Sequence, residues 1–180
     1  MPTLQLRVRI GSPDVSTANW DASISERIQN GRLVLPINMP ANHLNVGRLI
    51  LSSCSIESRY KGNVPAGGVP AGGSTHLPKN TGFFFELPWL ESGVVGQNEN
   101  DGPHIADAIY MPQGSYTKVG NDWVTSNNES PSLEYNVINN QIPYQFYLYV
   151  YPVLLTGGAR DINAVTDLRY LEANLYFSYM

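Results

Sequence analysis

The chain of 180 residues has one cysteine, Cys54, which excludes an internal disulfide. Its three histidines, His43, His76 and His104, fall at no metal-ligand spacing with one another or with that thiol. Stability must therefore come from an apolar core, and 42% hydrophobic residues are enough to build one of single-domain size over residues 1–180. Charge is also scarce. Charged side chains are 14% of the chain, well below the roughly 25% of an ordinary soluble domain. The eleven basic residues are scattered with no two adjacent and the net charge is −4, so no clustered footprint for phosphates exists and direct nucleic-acid binding is not expected. No run approaches the length of apolar residues that a membrane span needs. The opening stretch from Met1 to Ile10 alternates polar and apolar residues and lacks the continuous apolar segment of a secretory signal. These absences favour folding in a reducing compartment.

Glycine (16), proline (13) and tyrosine (11) are plentiful, and the surface must be covered largely by Asn, Ser, Thr, Gln and Tyr. Such groups cost less to desolvate than Lys or Glu, which suits a protein lying against neighbours over much of its surface. A secreted β-sandwich with a neutral surface would share this composition.

Periodicity is that of strands. Leu4, Leu6, Val8 and Ile10 alternate with Gln5, Arg7 and Arg9, predicting a half-buried strand. Trp20, Ile24 and Ile28 are spaced by four, predicting a short helical turn near residues 20–29 before the Asn30-Gly31 turn. Strands are predicted over Arg32 to Met39 and Gly47 to Tyr60, the second with Ile50, Cys54, Ile56 and Tyr60 on one face and Cys54 as a small core residue. Gly82 to Leu87, Ile105 to Met111, Lys118 to Thr125 and Leu133 to Ile138 follow, with a turn over Ser126 to Pro131. The last two strands run over Tyr144 to Tyr151 and Leu171 to Tyr179, with a second short helix predicted near 161–170. Residues 62–82, with the tandem repeat Val-Pro-Ala-Gly-Gly at 64–68 and 69–73, and residues 91–104 read as long loops of the kind held by a partner. About eight strands separated by Gly/Pro/Asn turns predict an all-β, antiparallel sandwich or barrel. Its interior is expected to include Leu6, Val8, Ile50, Phe146, Leu148, Leu175 and Phe177.

Chemistry-bearing constellations are weak. His104 and Asp107 could orient a general base, yet no Ser or Cys nucleophile has a recognisable elbow. Glu86 and Glu91 flank Pro88-Trp89 in the manner of a sugar cleft, a pairing any acidic β protein offers. The stretch from Gln97 to Gly102 resembles half a calcium loop, but Ala108 stands where the bidentate Glu is needed; a looser site would use Glu99, Asp101 and Asp107. Asn128-Glu129-Ser130 is a formal glycosylation sequon. No catalytic residue, cofactor or metal is assigned. The candidate interface or ligand surface is the row Tyr147, Tyr149 and Tyr151, with Trp89, because tyrosine offers apolar area plus a hydroxyl. The bland reading of that row is a central strand covered on both faces.

The opening strand from Leu4 to Ile10, the stretch Pro143-Tyr144-Gln145-Phe146-Tyr147-Leu148-Tyr149-Val150 and the closing strand from Leu171 to Met180 together resemble the single jelly-roll coat proteins of icosahedral viruses. That group includes the penton and minor capsid proteins of large double-stranded DNA viruses. The resemblance covers the full length in architecture and rests on no diagnostic motif. It implies a jelly roll of about eight strands, no enzymatic activity, and a structural role in the virion after synthesis in the host cytoplasm. The implied partners are further copies of the chain, five about a vertex for a penton, and other capsid proteins. Coat proteins of small RNA viruses usually carry a basic N-terminal arm, whereas here the strand starts at once, which points away from genome contact. The rival from another class is a carbohydrate-binding module or lectin recognising a glycan receptor, with Trp20, Trp89, Trp123 and the tyrosine row as stacking platforms. A sandwich glycosidase ranks last.

Overall fold

The computed structural model describes residues 1–11, 24, 26–39, 44–61, 80–91, 108–119, 122–154 and 168–179. Their strands are β1 (Thr3–Gly11), β2 (Ile28–Gln29), β3 (Arg32–Asn38), β4 (Leu44–Asn45), β5 (Arg48–Lys61), β6 (Asn80–Glu86), β7 (Leu90–Glu91) and β8 (Ala108–Pro112). They continue as β9 (Thr117–Val119), β10 (Asp122–Glu129), β11 (Leu133–Val137), β12 (Gln141–Ile142), β13 (Gln145–Leu154) and β14 (Leu168–Tyr179). The predicted all-β class is what the chain adopts. Every pairing is antiparallel.

Two sheets carry the structure. The larger runs β1-β14-β5-β10-β9, with β11 also on β5 and β7 on β11; the smaller runs β2-β3-β13-β6-β8. Strands β10 and β11 follow one another along the same flank of β5 and act as one interrupted strand. Counted so, the eight principal strands are nested: β1 lies beside β14, β3 beside β13, β5 beside β10–β11, and β6 beside β8. One apolar core joins the sheets. Leu6, Val8, Ile56, Leu175 and Phe177 from the larger sheet share it with Leu33, Phe85, Ile109, Leu148 and Val150 from the smaller. The rings of Tyr60 on β5 and Phe83 on β6 stack between the sheets, 6.4 Å apart and within 7° of parallel.

Ile50 is the exception to the predicted interior: it is only half-buried, while Leu49 and Leu51 on either side are buried. The cause is a bulge. Pairing with β14 steps from Ser53↔Tyr176 to Leu51↔Phe177, leaving Ser52 as an extra residue. One extra residue reverses which parity faces the core, so Leu49 and Leu51 point inward before it and Cys54, Ile56 and Tyr60 after it. The neighbouring strand adjusts at the same level, where Ser130, Pro131 and Ser132 separate β10 from β11 and Ser132 takes φ 52°.

The helix expected near 20–29 is corrected at its C-terminal end. After one turn closed by Arg27 N–H donating to Ile24 O at 3.0 Å, Ile28–Gln29 enters a hairpin with Arg32 and Leu33. Asn30 and Gly31 take φ 51° and 72°, the backbone that a two-residue hairpin loop requires. Of the helix expected near 161–170, residues 161–167 lie outside the described residues, and Leu168, Arg169 and Tyr170 are corrected to strand, as part of β14. The predicted strand Lys118 to Thr125 is two strands, β9 and β10, and the predicted turn from Ser126 continues as strand to Glu129. Most of the two long loops, with the Val-Pro-Ala-Gly-Gly repeat, lies outside the described residues.

A second bulge organises the far end of the larger sheet. Arg169 is the extra residue between the pairs Leu168↔Tyr60 and Tyr170↔Arg59. Its guanidinium lies on the inward parity of Leu171, Ala173 and Leu175 and donates to both carboxylate oxygens of Asp122 at 2.8 and 2.9 Å. Both residues are buried, Asp122 at 1% exposure.

Candidate functional site

On β13 the alternation places Phe146, Leu148 and Val150 in the core and Tyr147, Tyr149 and Tyr151 on the outer face of the smaller sheet. The three tyrosines share a face as predicted, but they are not equivalent. Tyr147 is open, at 56% exposure, and Tyr151 is closed, at 1%. Tyr151 packs against Phe84, centroids 5.5 Å apart, and Phe84 in turn against Tyr110 at 5.2 Å. Gly82 makes room for that last ring, since a Cβ there would lie 2.7 Å from Tyr110 Cε2. Tyr149 sits half-buried under Arg32, whose guanidinium carbon lies 3.9 Å above the ring centroid. Arg32 also reaches Glu86 at 3.4 Å.

The outer face is therefore an aromatic surface with one neutralised charge pair, open at Tyr147 and at Tyr110, which is 41% exposed. Phe84, Tyr110 and Arg32 were missed as surface candidates because they come from other strands. The signal for Phe84 was present: in Phe83-Phe84-Phe85 a strand must send the middle ring to the opposite side from its neighbours.

Trp89 is corrected from surface to core. It is 5% exposed and meets Phe146 edge-to-face at 5.4 Å, continuing past exposed Pro88 the buried parity of Phe83, Phe85 and Leu87. Its Nε1 is buried with no hydrogen-bond partner in the structure. Trp123 is half-buried against the core.

The acidic pair is divided. Glu86 is held by Arg32 on the smaller sheet, while Glu91 is exposed on β7 in the larger one. Asn128 of the sequon is exposed on β10. His43, His76, His104, Trp20, Glu99, Asp101 and Asp107 lie outside the described residues. Among the described residues no group of three His, Cys, Asp or Glu side chains could hold a metal ion, and no helix is long and apolar enough to cross a membrane.

Cys54 lies in the core at 3% exposure, and burial, then the nearby Glu129 carboxylate, push its thiol above the usual range. The thiolate is the reactive form. A thiol-directed reagent is expected to leave the native protein unlabelled and to label it stoichiometrically in denaturant; rapid native labelling would contradict the core assignment.

The larger sheet presents a different outer face. Arg7 pairs with Glu172 at 2.8 Å, Arg59 with Glu57 at 3.0 Å, and Gln5 donates to Asn174 at 3.3 Å. The Tyr170 hydroxyl donates to Glu172, holding that carboxyl below its ordinary value; burial and the same bond raise the Tyr170 hydroxyl to about 12. This face pairs many of its own polar groups, whereas the aromatic face leaves the rings of Tyr147 and Tyr110 open.

Compared with protein-family models, curated proteins and solved structures, the chain matches none.

Proposed function

We propose that the chain is a jelly-roll coat protein of an icosahedral virus shell, a penton or minor component that acts by self-assembly and by contacts with neighbouring subunits. The observation that carries this reading is the nested strand order, first beside last, second beside seventh, third beside sixth and fourth beside fifth. That order supports a jelly-roll reading, an architecture used by viral shells and by lectins. Fold alone does not choose between those uses. The choice rests on surface chemistry: low charge throughout, and an aromatic sheet face whose charged pair is already neutralised. Such a face suits protein contact.

One observation favours the carbohydrate-binding reading, the open rings of Tyr147 and Tyr110. Against it, Arg32 occupies the face of Tyr149 and Tyr151 is closed, so no continuous row of rings is presented to a sugar.

Sedimentation equilibrium of the purified chain, with a glycan array in parallel, separates the two. Concentration-dependent association without glycan binding is the expected outcome. Tyr147→Ser is expected to weaken association roughly 5- to 150-fold while leaving unfolding unchanged, as for an aromatic interface anchor. A strictly monomeric protein that binds glycans through Tyr147 overturns the proposal.

A further inference from the structure

Strand β1 is the last strand of the larger sheet, paired with β14 on one side and with no described strand on the other. The phase of its ladder is set by Tyr179 N–H, which donates to Pro2 O at 3.2 Å. Hydrogen-bonded pairs alternate along antiparallel strands, so Leu4, Leu6, Val8 and Ile10 bond to β14. The backbone groups of Thr3, Gln5, Arg7 and Arg9 consequently point to the open edge. Over nine residues the register with β14 has no shift, and the strand contains no proline. Charged side chains, bulges and prolines are usual means of blunting an edge; β1 has no bulge or proline, and its two arginines are each paired with Glu172, so its long regular ladder is a template for another strand.

We infer that the β1 edge is a docking site for a second copy of this chain, whose own β1 adds antiparallel about a two-fold axis at Gln5. The inference deepens the self-assembly reading and rests on it. Charge selects the register. Arg7 and Arg9 are each 55% exposed on the solvent face, and like charges directly opposite one another destabilise a strand pair. Registers that set Arg7 or Arg9 directly opposite an arginine of the second copy are thereby disfavoured, and so is an axis at Leu6, which sets Arg7 diagonally beside Arg7 within reach of long side chains. With Gln5 opposite Gln5, each Arg7 faces Thr3 and no arginine meets another. Every arginine also keeps its own Glu172. The pairing joins two larger sheets into one continuous sheet.

The test uses the ladder's phase. Gln5→Pro removes an N–H that points to the open edge and leaves the bonds to β14, made by the even-numbered residues, in place. Gln5→Ala is the control: it loses the exposed side-chain bonds to Asn174 and Tyr176 but keeps the N–H. In sedimentation equilibrium, Gln5→Ala should associate like the parent and Gln5→Pro roughly thirtyfold more weakly, two donors being lost per pair. A short bis-maleimide should join two copies of Gln5→Cys and not of Arg9→Cys, the native Cys54 being buried. If Gln5→Pro fails to fold by circular dichroism, the contrast between the two cysteine variants decides. Association of the parent with equal association of Gln5→Pro, or equal cross-linking of both cysteine variants, overturns the edge assignment alone. A parent that stays monomeric at all concentrations overturns both the edge and the self-assembly reading.

Discussion

Asp122→Ala is expected to cost about 3–5 kcal/mol of folding stability, because it leaves the Arg169 guanidinium buried without the carboxylate it is bonded to. For a domain of this size that is a fall in melting temperature on the order of 10 °C. The loss comes from the stranded cation and only secondarily from the pair itself, since two charges taken from water roughly cancel their own attraction. The double variant Asp122→Leu with Arg169→Met should therefore recover most of the stability of the parent. Thermal and urea unfolding of the three proteins measure this. A single-variant loss below about 1 kcal/mol would mean that Arg169 is solvated and the bulge is not a closed site.

Why this pair was not legible in the sequence is instructive. Asp122 and Arg169 are 47 residues apart; alternation from inward Leu171, Ala173, Leu175 and Phe177 gives Arg169 the inward parity, but nothing in its own stretch of chain names the partner. The bulge is what brings Leu168 in beside it. The same device hid Leu49 and Leu51 behind the more regular pattern of Ile50, Cys54, Ile56 and Tyr60. Strand existence was legible, because period-two patterning is local. Parity changes were not, because a bulge is defined by a partner strand and leaves no mark on its own stretch of chain.

The candidate surface was legible to the same extent. That Tyr147, Tyr149 and Tyr151 share one face follows from β13 alone, as does their separation from Phe146, Leu148 and Val150. Which of them is open does not, since that depends on Arg32 across β3 and on Phe84 across β6. The aromatic platform and the β1 edge belong to different sheets, so under the proposed self-assembly they would be separate contact surfaces. A variant at Tyr147 and one at Gln5 should accordingly act additively on assembly.

Gly11→Ala is expected to be as damaging as the loss of Asp122, for a reason that lies in the backbone. Gly11 ends β1 at φ 80°, where an L side chain is already strained by roughly 1–2 kcal/mol. A Cβ there would sit 2.0 Å from the carbonyl oxygen of Arg169 and 2.6 Å from Ile24 Cδ1. The isoleucine tip can rotate away, but the carbonyl is the backbone of Arg169 itself and cannot move without disturbing its pair with Asp122. Gly47 provides the contrast. Its φ is ordinary, and the atom a Cβ would meet, at 3.0 Å, is the terminal oxygen of the exposed Asn140 side chain, which is free to turn. Gly47→Ala should therefore stay within about 1 kcal/mol of the parent, while Gly11→Ala loses at least about 3 kcal/mol by urea unfolding. Equal small losses at both positions would show that the end of β1 yields easily, and that the close approach of Gly11 to Arg169 is not what fixes the buried pair.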